Sequence, residues 1–244
     1  MPITFGSGVR LGAGVQAGVI LPITAGLQVY YDAGNPNSYP GSGTTWFDIS
    51  GNGRHSTMTA TSYSTDKGGA LTFTNGSGSR GVSSSFGWST NAFTLITWIY
   101  PTTVDLTVRR FVSMQGGTPT FYNWAVSRLD GVNASGQYHG YSSQTGGTIL
   151  PQVRSNGQVT ANTYQNFVLT HDGSTLTSYK NNSVLTSSTS AGTIDFDASV
   201  NTLLISNATE TFAGNMYAVM LYNRVLTATE LTQNYNAFRG RFGL

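Results

Sequence analysis

Carboxylates are scarce in this chain, and their scarcity limits the chemistry to be expected of it. There are two glutamates, Glu210 and Glu230. Cleaving the bond between sugars takes a closely set carboxylate pair, one as nucleophile and one as acid, about 5–5.5 Å apart in the retaining geometry. The nearest pair by spacing is Asp195 and Asp197 in "IDFDAS". Two residues apart, they share a face if the segment is a strand. The plainer reading of that segment is a polar strand end or a turn. Glu230 follows Thr227 by three residues and reads as half of a helix capping box. Serine-type catalysis needs a histidine positioned by an acid. His55, His139 and His171 fall in different turns or strands, and "THDGS" (residues 170–174) reads as the approach to an Asp172-Gly173 turn. The glycines of "GSGVRLGAG" lack the following helix that a phosphate-binding loop requires. No catalytic residue is assigned, and the expectation is a protein that is not an enzyme.

Aromatic side chains offer a different chemistry. A sugar-binding surface combines ring faces with amide and hydroxyl partners. Trp88, Trp124 in "FYNW", and Tyr138 and Tyr141 in "YHGY" are the candidates for such a platform. In a strand-rich chain with 12% aromatic residues, burial in core or rim is the commoner fate of any one of them.

Any such site must be carried by short strands. "LQVYYD" leads into "NPNSYPGSGTTW" (residues 35–46), a run of turn formers, and "DISGNG" (residues 48–53) is a second turn. "ALTFT" alternates. "FTLITWIYP" (Phe93–Pro101) is the strongest strand signal. Phe93, Leu95, Thr97 and Ile99 share one face and Ile96, Trp98 and Tyr100 the other, so both faces are expected to be packed. "RRFVSMQ", "FYNWAVSRL", "GQYHGYSS" and "QNFVLTHDG" follow. "STLTSYKNNSVL" (residues 174–185) reads as a hairpin with its turn at residues 180–183. "NTLLISN" and "NMYAVMLYNRVL" close the series. One helix is predicted after Thr227, with Leu231, Tyr235 and Phe238 on one face and Gly240 as its stop. Many short strands with polar turns predict an all-β, two-sheet antiparallel jelly-roll sandwich with one short C-terminal helix.

Composition narrows the partners. The chain of 244 residues is 39% hydrophobic but 9% charged, against roughly a quarter in ordinary soluble domains. The surface is therefore expected to be neutral and hydrogen-bonding. A formal charge of +2 gives no reason to expect nucleic acid or an anionic membrane. The chain has no cysteine, so neither disulfides nor thiolate metal sites are available to it. No run approaches the ~18 apolar residues that span a bilayer.

"FGSGVRLGAGVQAGVILPI" (residues 5–23) is apolar but broken by five glycines, each disfavouring a helix by ~1 kcal/mol relative to alanine. A signal peptide or membrane anchor is not expected. The residues suit an extended arm, with Val9, Leu11, Val15, Val19 and Leu21 able to face one way. Two readings stay open: a first strand of the same domain, or an arm docked on another subunit. The expected division is an arm over residues 1–26 and a jelly roll over residues 27–244.

Four stretches in order carry a resemblance: residues 32–53, "FTLITWIYP", "FVLTHDGSTLTSYKNNSVL" (residues 167–185) and "FAGNMYAVMLYNRVLTATELTQNYNAFRGRFG" (residues 212–243). Together they resemble the laminin-G-like, concanavalin-A-like jelly roll, and are similar to the versions found in tailed, especially marine, bacteriophages. The resemblance departs in two places. "GNMYAVMLY" lacks the acidic residues that cellular members often carry there, and Asn181-Asn182 replaces the usual Asn-Gly turn. The resemblance implies glucanase and lectin relatives, and it makes Asp32, Asp48 and Asn52 candidates for structural calcium, although such residues are also ordinary turn formers. It also implies a virion structural protein, most simply a capsid decoration protein on the outer particle surface, present in many copies and held by its arm to major capsid, tail or neck proteins. The alternative is a glycan- or receptor-binding module of a tail or fibre, touching a host-surface glycan.

Overall fold

Strand β7 (Phe93–Pro101) is buried along both faces, as its two apolar faces require, and the molecule is built outward from it. The structure, a computed structural model, describes residues 20–116, 122–130, 136–143, 149–189 and 201–244. Strands are numbered along the chain. One eight-stranded sheet, sheet A, runs β14 (Ser183–Thr189), β13 (Thr175–Lys180), β12 (Gln165–His171), β7, β16 (Gly214–Tyr222), β5 (Ala70–Phe73) and β4 (Thr61–Ser64), with β1 (Leu27–Asp32) paired to the far end of β16. The other, sheet B, runs β11 (Ile149–Ser155), β10 (Gln137–Ser143), β9 (Tyr122–Asp130), β8 (Arg109–Gly116), β15 (Asn201–Ile205), β6 (Arg80–Ser83), β3 (Ser56–Thr59) and β2 (Thr45–Trp46). All pairings between these strands are antiparallel. The expected two-sheet sandwich is the observed fold.

Between the sheets lies a continuous core. Tyr138 of sheet B stacks on Phe167 of sheet A with centroids 4.6 Å apart and rings 2° from parallel. Phe111 and Phe212 extend that aromatic layer. Gly140 permits the close approach, since a Cβ there would lie 2.6 Å from a methyl of Leu169 on the opposite sheet.

A second core covers the outer face of sheet A. Helix α1 (Ala228–Phe242) lays Tyr235, Phe238 and Phe242 over Trp98, with ring centroids 5.6, 5.7 and 4.8 Å away. The capping box at its start forms as expected: Glu230 N–H donates to Thr227 Oγ1, and Thr227 N–H donates to Glu230 Oε2 at 2.8 Å. Its end is corrected. Gly240 is exposed and stays helical, and the stop is Gly243, at φ +74°. The predicted hairpin has a two-residue turn, with Asn181 and Asn182 at φ +48° and +67°. Asparagine tolerates that backbone better than most residues, so it can stand in for the usual Asn-Gly.

The chain is tied down before β1. Ile23 N–H donates to Asn234 Oδ1 at 2.7 Å, Asn234 Nδ2 donates to the Tyr222 hydroxyl at 3.1 Å, and that hydroxyl donates to Ile23 O at 2.9 Å. This closed ring joins the entering segment, β16 and α1. Among the described residues no helix is long and apolar enough to cross a membrane.

Candidate functional site

Three of the four aromatic candidates for a sugar platform are corrected by burial. Trp88 is 3% exposed and donates its indole N–H to Thr90 O. Tyr138 is 0% exposed, stacked in the inter-sheet core, with its hydroxyl against Ser127 Oγ at 3.0 Å. Tyr141 is 5% exposed beneath the Arg128 guanidinium. None of the three offers a ring face to a ligand. Trp124 belongs to β9, and its side chain lies outside the described residues.

Asp48 and Asn52 are linked through the Ser50 hydroxyl, and Asp32 has partners of its own. Asp32 pairs with Arg241 at 2.7 Å and accepts from Gly34 N–H. Asp48 is buried and accepts four donors: the N–H groups of Tyr30, Ser50 and Arg54, and the Ser50 hydroxyl. Asn52 turns its amide nitrogen to the carbonyls of Leu27 and Gln28. These are turn-forming roles, and they do not aim a shared set of oxygens at one point. Among the described residues no group of three histidines or carboxylates is placed to hold a metal. Asp195 and Asp197 lie outside the described residues, as do Val9, Leu11, Val15 and Val19 of the proposed arm. Leu21 is described: its side chain is exposed and its carbonyl accepts from Gln233.

Two clusters that the sequence reading did not single out carry the polar chemistry. The first lies on the outer face of sheet A beyond the end of α1. Register places Ser62 opposite Thr72, Thr72 opposite Asn215, and Asn215 opposite Tyr100. Tyr164, just before β12, completes the row. Its ring lies 4.9 Å from that of Tyr100, tilted by 49°, and both tyrosines are partly exposed. Thr72 Oγ1 donates to Asn215 Oδ1 at 2.8 Å. A bulge between Met216 and Ala218 turns Tyr217 to this same face. The hydroxyls of Tyr217 and Tyr164 both donate to the Asp66 carboxylate, at 2.5 and 3.2 Å. Burial, then the adjacent Asp66, raises both phenol pKa values, so both hydroxyls stay protonated as donors. Lys67 Nζ sits 5.0 Å from the Tyr164 ring centroid. Arg241 fixes this turn by donating to the carbonyls of Lys67 and Gly69.

Next to this row is a groove of about 290 Å³, lined in part by Thr72, Thr74, Asn75, Thr102 and Thr103. Its floor requires glycine at 214. The backbone there has φ +143°, and a Cβ would lie 2.2 Å from the Tyr100 carbonyl oxygen. Asn75 is held by Arg109, whose Nη1 donates to its Oδ1 at 2.8 Å while Asp105 takes the other arm of the guanidinium. Ring faces beside hydroxyls and amides can stack against the C–H face of a sugar while exchanging hydrogen bonds with its hydroxyls.

The second cluster is a ladder on the outer face of sheet B. Arg110 on β8 lies opposite Arg128 on β9, Arg128 opposite His139 on β10, and His139 opposite Arg154 on β11. Glu210 bridges the first two, at 2.6 Å from Arg110 and 3.8 Å from Arg128. Arg128 also donates to His139 Nδ1. Sequence carries a faint sign of this ladder, at least one cationic or imidazole residue in each of four successive strands. The Tyr100–Tyr164 pair leaves no comparable sign.

With these sites in view, the comparisons decide the family. The family model for the concanavalin A-like lectin/glucanases superfamily, laminin G type, matches residues 75–232, more than half of the chain. The chain belongs to this superfamily. Solved structures similar to it include a Trypanosoma rangeli sialidase in complex with sialic acid, at 17% identity and TM-score 0.63, covering 93% of this chain and 35% of that one. They also include the botulinum neurotoxin type G receptor binding domain, at 12% identity and TM-score 0.62, covering 86% and 51%. The binding domain of Paraclostridial mosquitocidal protein 1 matches at 14% identity and TM-score 0.64, covering 88% and 53%. The chain thus spans about a third to a half of the proteins it resembles. No curated protein matches its sequence. At these identities the likeness shows the fold alone.

The expectation that the protein is not an enzyme is corrected. Sialidases are among the similar structures, at 14–17% identity. Counting carboxylates bears only on chemistry within these residues. The match covers about a third of each sialidase, which suggests the lectin-like domain rather than a catalytic one.

Proposed function

We propose that this lectin-like domain binds carbohydrate, and that it does so at the Tyr100–Tyr164 face and the adjoining groove. The observation that carries this reading is the row Thr72, Asn215, Tyr100 and Tyr164, where partly exposed rings meet an amide and a hydroxyl on three neighbouring strands and the residue that leads into a fourth. Asp66 is engaged by two tyrosine hydroxyls and Arg109 by Asp105 and Asn75, while the exposed Lys67 ammonium lies over the Tyr164 ring. Apart from Lys67, what the face offers a ligand is neutral hydrogen bonding and ring stacking, which suits an uncharged sugar. The likeness to two toxin binding domains supports a role in recognition. Backbone amide shifts followed while neutral disaccharides are titrated test the reading. Shifts are expected to cluster at Thr72, Thr102, Thr103 and Asn215. Shifts confined to other faces would contradict it.

For the setting, we propose that the domain is carried on the outer surface of a virion, its N-terminal residues joining it to other virion proteins in many copies. The support is the arm-like sequence, together with Ile20 and Leu21, which are 48% and 65% exposed where the chain leaves α1. Many copies on one particle would strengthen a weak single-site contact with a host-surface glycan. Co-sedimentation with particles stripped of this protein tests it. The full chain should pellet and a chain starting at Ile20 should not, and equal pelleting would contradict the arm's role.

A further inference from the structure

We propose that the arginine ladder of sheet B is a second binding site, for a carboxylate or sulfate group carried by a saccharide. Like charges placed directly opposite across strands destabilise a sheet. Yet here Arg110 and Arg128 are opposed, and Arg154 follows one strand beyond His139 in the same row. The chain has 12 lysines and arginines in all, so three in one row is a local concentration in a sparsely charged molecule. The row is graded in exposure. Arg110 and His139 are buried, Arg128 is partly exposed, and Arg154 is exposed on β11 at the end of the sheet. The row is also stiff at its middle, where Arg128 is held by Glu210, by His139 and over the Tyr141 ring at 5.2 Å. A guanidinium presents a planar fork of N–H donors that matches the two oxygens of a carboxylate or sulfate. Arg128, His139 and Arg154 also make further contacts within the chain. Glu210 offsets the repulsion between Arg110 and Arg128, and an oxyanion at the open end would join or exchange with the contacts of Arg154. Nothing in this inference depends on the sugar reading of the Tyr100–Tyr164 face, which lies on the other sheet.

The test is calorimetric titration of the full chain with four probes: a sulfated disaccharide, a uronate-containing disaccharide, a neutral disaccharide and inorganic sulfate. One of the anionic disaccharides is expected to bind, more weakly as salt is raised, because added ions screen an exposed contact. Replacing the charge-assisted fork in Arg154→Gln should weaken that binding about tenfold. Arg154→Lys, which keeps the charge without the fork, should fall between. Thermal midpoints of both variants check that the sheet is intact. Tighter binding of the disaccharide than of inorganic sulfate assigns the anion to a saccharide. Inorganic sulfate binding as tightly would overturn that assignment, and so would failure of both anionic disaccharides to bind the unaltered chain. Unchanged affinity in Arg154→Gln would overturn the ladder as the site. Loss of neutral-sugar binding alone, in Tyr164→Ala, bears on the other face and leaves this outcome readable.

Discussion

Asp48 is a buried carboxylate whose oxygens accept from Tyr30, Ser50 and Arg54, and it fixes the turn between β2 and β3 against β1. Removing the acceptor strands buried donors. Asp48→Ala is therefore expected to lower stability by about 3 kcal/mol, read by chemical denaturation, whereas Asp48→Asn, which keeps one acceptor oxygen, should cost less. A loss near zero would mean that the four donors find water instead. At this scale the sequence is a partial guide. "DISGNG" marks a turn whatever the fold around it. The ring candidates were a different matter, because period-two alternation gives two faces without saying which is inward. Tyr138 faces the inter-sheet core because its neighbour in the stack is Phe167, from a strand of the opposite sheet. Tyr100 and Tyr164 meet because β12 pairs antiparallel with β7, with Gln165 opposite Ile99. No local signal encodes either meeting.

Helix α1 is the element whose sequence reads most plainly at its start and least plainly at its end. The capping box is local and was legible. The stop was not, since an exposed glycine in a last turn costs about 1 kcal/mol and can be borne when Phe242 beyond it packs on Trp98. Glu230 gives the helix a pH dependence of definite sign. Its hydrogen-bonded ion pair with Arg224, then the Thr227 N–H, hold its pKa down to about 2, from an ordinary value of 4.5. A depressed carboxylate pKa stabilises the fold above the unfolded value and loses that contribution as pH falls towards the folded value. The capping contribution, of about 1 kcal/mol, should thus be complete above pH 4.5 and decline as the pH is lowered to about 2. Denaturation midpoints across that window should fall more steeply for the unaltered chain than for Glu230→Gln. Parallel curves would contradict the assignment. β7 was legible for a simpler reason: both its faces are apolar, and both are packed, one by sheet B and the other by α1.

At the scale of the whole molecule, two cores share one sheet, and the ring of Ile23, Asn234 and Tyr222 ties the entering chain to the second of them. A division at residue 27 cuts this ring. A chain beginning at Leu27 is expected to be about 2 kcal/mol less stable than one beginning at Ile20, since it strands Asn234, which is 2% exposed, and the Tyr222 hydroxyl. Equal denaturation midpoints would put the boundary where the sequence suggested. The two-sheet class could be read from strand spacing and turn chemistry, but not the outer row, which draws on five segments spread between Ser62 and Asn215. Sugar recognition by this row is the property on which the proposed function stands. The measurement that meets it most directly is a glycan array probed with the unaltered chain and with Tyr164→Ala, both checked for the same thermal midpoint. The unaltered chain is expected to retain on a set of neutral glycans, and the variant to lose about tenfold in signal on that set. Retention on the same glycans at the same strength by both proteins, or on none by either, would contradict it.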